Sequence, residues 1–436
     1  MSLRQFLEGE RSIDGQVTEV AEEVSADFEA PAVMKANDGG PVVVFRRIRG
    51  HRGVAVAGIC GTRERIYRAI GAGPRDYYSK LIDAAANPVE PEEVASGPVT
   101  EVSCGADLGK IPVFRHYERD AGRYITSGIV VARSPNGRFQ NASIHRLLVL
   151  GRDRLAIRLV PRHLYAMHQE AKSRGEDLQV AVVIGVHPAL AVGANVGPKL
   201  GVDELGVGNA LLGGGLKVVR CRRAGVAVPA DAEIVLEGVI KADEVADEGP
   251  FVDLTGTYDI VRKQPVVQLT GMMMRGDAIY QAILPGGAEH KLLMGMPKEA
   301  RMYDAVSKAV PDVRGVRLTL GGACWFHAAV SIRKQAEGDG KNAILAALGA
   351  NPSVKHVVVV DEDVDVDDPA ELEWAIATRF QGDSGIIKIR GARGSSLDPS
   401  SDQERILTAK VGIDATVPWG KPREKFEKAA MPKTAR

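Results

Sequence analysis

The sequence predicts a mixed α/β (α+β) protein in three parts, 1–97, 98–300 and 301–436, and three observations predict it. Near the start, GVAVAGIC followed by GTRERIYRAIGAG reads as a strand entering a helix that stops at glycine. From about residue 98 the pattern changes to many short runs rich in Val and Ile, broken by Gly, Pro, Asn and Asp. From about 300, helical runs alternate with strands again and culminate in VKHVVVVDEDVDVDDPAELEWAIATRF.

In the first part, NDGGPVVVFRRI reads as a turn and a strand, which completes a small α/β unit. AANPVEPEEVASGP, dense in proline, marks the passage to the second part. There GIVVARS, HRLLVLG, RLAIRLV, QVAVVIGV, LKVVRC, AEIVLEGVI and PVVQLTGMMM are expected to form a largely antiparallel sheet or barrel. One helix, RHLYAMHQEAKSRG, is expected to interrupt them, with Gly175 at its end. The third part offers a helix at EARMYDAVSKAV, a strand at VRGVRLTLG and a helix at GKNAILAALGA. Its VVVV run reads as a buried parallel strand leading to a helix that Asp368 caps ahead of Pro369. The acidic run DEDVDVDDP lacks the Gly and Glu that a calcium loop needs at its sixth and twelfth positions. The polar tail KPREKFEKAAMPKTAR is expected to fray or to dock on a neighbour.

With 56 basic and 56 acidic residues and no long basic block, the chain is not built for nucleic acid. No apolar run approaches the roughly 18 residues of a membrane span, and the N-terminus lacks the apolar core of a secretory signal, so a cytoplasmic protein with no membrane partner is expected. Cys60, Cys104, Cys221 and Cys324 show no CxxC spacing and are expected to be reduced and mostly buried.

Several clusters can carry chemistry. NASIHRLLVLG places Asn141, His145 and Arg146 at a strand entrance, either as a polar site or as a turn asparagine with surface basic residues. RLAIRLVPRHLYAMH places Arg158 in an apolar strand and His163 at a helix start, where an anion is favoured; a capping histidine is the alternative. His168 and His187 read as structural. GVDELGVGNALLGGG sets Glu204 beside Asp203 among glycines, as a loop wrapping a ligand or a solvated acidic turn, and it matches no nucleotide fingerprint.

DEGPFVDLTGTYD holds the most informative pattern. Gly249 and Pro250 force a turn, so Glu248 and Asp253 can face one centre. Two neighbouring carboxyls do not ionise equally, so one can pair with an arginine while the other carries a proton, as proton delivery requires. The alternative is a turn acid beside a solvated glutamate.

Taken in order from GPVVVFRR to the RGSS and GIDAT segments, and above all across 141–299, these motifs resemble the UbiD family of reversible decarboxylases. The resemblance implies a central split β-barrel binding prenylated FMN and a C-terminal α/β oligomerisation domain. It implies a divalent metal, Mn²⁺ or Mg²⁺, held by Asn141, His163 and Glu204 on the flavin phosphate, with K⁺ nearby. Their mixed amide, imidazole and carboxylate character suits such a metal better than structural zinc. Ile144, His145 and Arg146, with Arg158, Leu159 and Val160, match the family's cofactor-contacting segments. Its catalytic arginine and two acids fall on Arg146, Glu248 and Asp253; Arg146, paired with Glu248, positions the carboxylate, and Asp253 protonates the carbon that loses CO₂.

AILPGGAEHKLLMGMPKE resembles the branch that acts on heteroaromatic acids, with His290 toward the ring, Lys298 toward a second polar group, and Leu254 and Met294 as pocket walls. A pyrrole-, indole- or furan-carboxylate is therefore the expected substrate, with CO₂ as the other partner. A flavin prenyltransferase would supply the cofactor and the chain would form a homo-oligomer, a dimer or hexamer. The family often supplies a lysine to the cofactor phosphate from its C-terminal domain, and Lys355 does not align with it. Two other readings are a reductase-type flavin-binding split barrel and a subunit of a multi-component aromatic carboxylase.

Overall fold

The computed structural model describes residues 1–429 and 431; the last residues of the predicted tail lie outside them. It divides into two compact units, Met1–Pro297 and Lys298–Arg436.

The first unit holds a four-stranded sheet in the order Val17–Val24, Val42–Ile48, Val54–Ala57, Ile279–Ala282. Its first three strands come from the predicted N-terminal α/β stretch. The fourth arrives from more than 200 residues downstream and pairs in parallel with Val54–Ala57.

The larger sheet has nine strands and mixes no parallel pair among those described. Its order runs Tyr124–Ile125, Leu147–Val149, Arg154–Ile157, Arg262–Met274, Ile234–Glu248, Leu178–Ile184, Ile129–Arg133, Gln140–Ile144, with Val102–Cys104 off the path on Arg262–Met274. The last strand, Gln140–Ile144, is joined to the second, Leu147–Val149, by His145 and Arg146 alone. Three Cα steps reach at most roughly 11 Å, so the sheet must curl until its two ends nearly meet. The largely antiparallel sheet or barrel expected from the Val- and Ile-rich runs is thus a curled half-barrel, with His145 and Arg146 at its seam. The His145 N–H donates to the Gly128 carbonyl at 3.1 Å and the Arg146 carbonyl accepts the Arg158 N–H at 3.3 Å, stitching the seam from both sides. Gly128 is required there: a Cβ would lie 2.8 Å from Val182 Cγ1 and 3.0 Å from Leu147 Cδ1. Inward-facing Val130, Leu147, Leu155, Val182, Leu236 and Val267 fill the interior.

Sequence reasoning expected one helix in this region, and the structure has His163–Ser173, Pro188–Val196 and Glu204–Leu212. Within GVDELGVGNALLGGG, read as loop, Gly208 lies inside a helix and serves a helix contact. A Cβ on Gly193 would lie 2.7 Å from Gly208 N, and one on Gly208 would lie 2.7 Å from Leu190 Cδ2, so the two helices approach backbone to backbone.

In the second unit five strands follow the order Val313–Leu318, His327–Ile332, His356–Asp361, Leu407–Asp414, Ile386–Arg393. The three central ones are mutually parallel. Val357–Val360 are wholly buried, as the VVVV run predicts, and Asp368 caps Pro369–Arg379 through the Ala370 N–H at 2.8 Å. The helix expected at Glu299 begins earlier: it spans Ala288–Ser307 with Pro297 inside it. All four cysteines are free, and Cys104 alone is only half-buried.

Candidate active site

Arg146 sits at the barrel seam with its side chain 8% exposed, and three carboxylates from one hairpin region converge on it. Nε and Nη2 each donate to Glu248 at 2.9 Å, a bidentate pair with a wholly buried acid at the end of the strand Ile234–Glu248. Nη1 pairs with Asp253. Nη2 also donates to Asp259 at 2.9 Å. Burial works to lower the pKa of Arg146, but the charges of Asp253 and Glu248 outweigh it and lock the cation on.

The turn that delivers the acids is built by the local sequence. Gly249 has a φ of 98°, and a Cβ there would lie 2.9 Å from the Ile260 carbonyl oxygen. Its N–H donates to the Tyr124 hydroxyl at 3.2 Å, while the Pro250 carbonyl accepts from Ala121 at 2.9 Å. Phe251 packs on Tyr124 with ring centres 4.4 Å apart. Past it, Asp253 Oδ1 accepts the Leu254 N–H at 2.6 Å. Both acids of the predicted pair therefore hold the arginine.

Sequence reasoning missed Asp259, the last residue of the very stretch that it singled out. It pairs with Arg262 and lies 3.9 Å from Arg158 Nε. Burial pushes its carboxyl up, but Arg262 and Arg146 prevail and hold it below the usual range. Phe251 and Asp259 face each other in a two-stranded ladder, so reading FV and YD as hairpin arms would have placed Asp259 beside the other acids.

A second cluster adjoins the first. Asn141, inside the strand Gln140–Ile144 and not in a turn, donates from Nδ2 to Glu204 Oε1 at 2.7 Å, and the Ala142 N–H donates to Oε2 at 2.7 Å. Glu204, 2% exposed, opens the helix Glu204–Leu212, so the solvated acidic turn is corrected to a buried helix-start acid capped by Asp203. His163 Nδ1 lies 3.6 Å from Glu204 Oε1. Among the described residues no three His, Cys, Asp or Glu side chains gather as a metal site. The candidate trio adds an amide oxygen to two such groups, and a buried carboxylate with an amide and an imidazole beside it fits a hard divalent cation.

The clusters are joined through Ser143 and His145. Ser143 Oγ lies 3.2 Å from Asn141 Oδ1 and 3.0 Å from His145 Nε2. His145 Nδ1 lies 3.0 Å from the Arg158 carbonyl, which can only accept, so the proton is on Nδ1. Burial depresses its pKa to about 4, leaving the ring neutral. Arg158 falls one residue beyond the strand Arg154–Ile157; its Nη1 donates to the Leu159 carbonyl at 3.2 Å. Its remaining donors suit an anionic cofactor group, and Gln264 fixes the Leu159 N–H at 2.8 Å. Ile144 and Val160 are half-buried and Leu159 is buried.

Of the predicted substrate residues, Leu254 is wholly buried and Met294 half-buried. His290 accepts the Gly286 N–H at 3.1 Å; burial lowers its pKa, with Asp253 opposing and Arg146 reinforcing, which places it in the electrostatic reach of the arginine hub. Lys298 falls in the second compact unit.

Three family models match the chain: the 3-octaprenyl-4-hydroxybenzoate carboxy-lyase (UbiD) N-terminal domain over 11–85, the Rift-related domain over 92–288 and the C-terminal domain over 291–415. An anhydromevalonate phosphate decarboxylase of Methanothermobacter thermautotrophicus is 47% identical over 98% of this chain and 99% of its own. The UbiD-class enzyme HmfF of Pelotomaculum thermopropionicum, solved with FMN, superposes with a TM-score of 0.96 at 40% identity, covering 99% of this chain and 98% of that one. An evolved dimeric form of HmfF with prenylated FMN gives 0.92 at 38% identity, covering 99% and 97%.

Proposed function

The chain belongs to the UbiD family of carboxy-lyases, and from that premise we propose that it decarboxylates a small unsaturated acid bearing a phosphate, of the anhydromevalonate phosphate kind. The observation that carries the decarboxylase reading is the buried Arg146 with both oxygens of Glu248 on its fork and Asp253 on its free edge. The relative at 47% identity over nearly the whole chain supports the phosphorylated substrate.

Losing CO₂ from an unsaturated carbon leaves an electron pair with nowhere to go, and prenylated FMN, when bound, supplies the electron sink. The protein's own residues do the rest. Arg146 binds and orients the carboxylate; Glu248 holds the guanidinium in plane. Asp253 delivers a proton to the carbon that CO₂ leaves. Arg158, with Ile144, His145, Leu159, Val160 and His163, lines the cofactor site. Asn141, His163 and Glu204 would hold Mn²⁺ or Mg²⁺ against its phosphate, with K⁺ nearby.

A heteroaromatic acid of pyrrole, indole or furan type is the second reading. His290 favours it, because an imidazole in the electrostatic reach of Asp253 and Arg146 can meet a ring, with Leu254 and Met294 as pocket walls. The reductase-type reading is not favoured, since the family match runs through all three models. The three-part division 1–97, 98–300 and 301–436, the cytoplasmic location, the homo-oligomer and the supplying prenyltransferase belong to the same proposal. No helix among the described residues is long and apolar enough to cross a membrane.

Chain co-expressed with a flavin prenyltransferase should release CO₂ from anhydromevalonate phosphate faster than from pyrrole-2-, indole-3- or furan-2-carboxylate. Preference for one of the heteroaromatic acids would overturn the phosphorylated substrate.

A further inference from the structure

We propose that Asp259 is a positioning residue whose charge forces the substrate carboxylate to enter by displacing Asp253 from Arg146, with uptake of one proton from solvent. The inference rests on the decarboxylase reading above and extends it to a residue outside the predicted set.

A guanidinium has five N–H donors. On Arg146, Nε and one Nη2 donor go to Glu248, the other Nη2 donor goes to Asp259, and Nη1 meets Asp253. The fifth N–H is also on Nη1, so an incoming carboxylate that takes two donors meets the edge where Asp253 already lies. The three acids are not equally held. Glu248 is wholly buried on a two-point fork, and Asp259, 8% exposed, touches both Arg146 and Arg262. Asp253 is the most exposed at 14% and has one cationic partner, so it is the acid that yields.

Counting charge gives the proton. Arg146, Arg158 and Arg262 offset Glu248, Asp253 and Asp259; His290 is within the electrostatic reach of Asp253, and the Leu254 N–H donates to its Oδ1. A substrate carboxylate brings one more negative charge into a largely desolvated site, which is costly unless a proton neutralises it. That proton goes to the acid that has just lost its cation, Asp253, and is transferred to carbon as the C–CO₂ bond breaks and leaves its electron pair behind. If Asp259 were neutral, the substrate would restore the balance by itself and Asp253 would stay ionised.

The test compares KM and kcat for anhydromevalonate phosphate between pH 6 and 9 in cofactor-loaded wild type, Asp259→Asn and Asp259→Glu, each first checked by its melting temperature. Wild-type KM is expected to rise toward tenfold per pH unit, as one linked proton requires. In Asp259→Asn the KM should become flat and no higher than wild type at high pH while kcat falls at least tenfold, and Asp259→Glu should restore the slope. A flat wild-type KM, or an unchanged slope in Asp259→Asn, overturns the role of Asp259. Failure of wild type to release CO₂ from this acid counts instead against the proposed substrate.

Discussion

The Arg146 guanidinium lies 4.8 Å from the centre of the Phe251 ring. The cation sits over the ring while its N–H groups go to the acids, so the geometry belongs to arginine and not to positive charge in general. Arg146→Lys should therefore lose at least 100-fold in kcat/KM for CO₂ release. It should also melt lower, because three carboxylates lose their fork; breaking a buried pair costs about 3–5 kcal/mol. Steady-state assay and thermal denaturation check both.

The close crossing of Pro188–Val196 on Glu204–Leu212 makes Gly193→Ala a structural test. The added methyl has no room against Gly208, and overpacking of this kind costs about 1–3 kcal/mol. Because Glu204 opens the second helix, the same substitution should loosen the candidate metal, read as weaker Mn²⁺ binding by titration calorimetry.

Glu289, one residue before His290, accepts the N–H groups of Gly58 and Cys60 at 2.9 Å each and anchors the start of the helix Ala288–Ser307. Burial raises its carboxyl from 4.5 to about 7, against the two donors and Arg65. The folded protein thus keeps a proton there that the unfolded chain has released. The stability linked to this group is fully present below about pH 4.5 and is lost as pH rises through about 7. Relative to Glu289→Gln, wild type should lose about 3 kcal/mol between pH 4.5 and 8, measured by denaturant unfolding at each pH. A constant offset between the two proteins contradicts this.

Removing the divalent ion should release the cofactor before it unfolds the protein. EDTA treatment, or Glu204→Gln, should strip flavin absorbance from the gel-filtered protein while the second unit's strands keep their far-UV signal. Flavin retained after complete demetallation contradicts the assignment of Asn141, His163 and Glu204.

The fold was legible wherever hydrophobic period and turn chemistry agree, as in the Val- and Ile-rich strands and in the Asp368 cap. It was less legible where glycine served contact instead of turning: Gly193 and Gly208 sit inside helices because only a missing Cβ lets the helices meet. The strand Ile279–Ala282 was not legible as part of the N-terminal sheet, since its partner Val54–Ala57 lies far away in the chain. Arg146, Glu248 and Asp253 were found through the family motif and a turn argument. Asp259 was missed because its significance depends on hairpin register, and the local sequence TGTYD reads equally well as a solvated turn.

The most direct test is CO₂ release from anhydromevalonate phosphate by wild type and Arg146→Ala, both loaded with cofactor to equal flavin absorbance. The account predicts turnover by wild type and at least a 1000-fold loss in the variant, with flavin retained. Comparable turnover by the two proteins would contradict it.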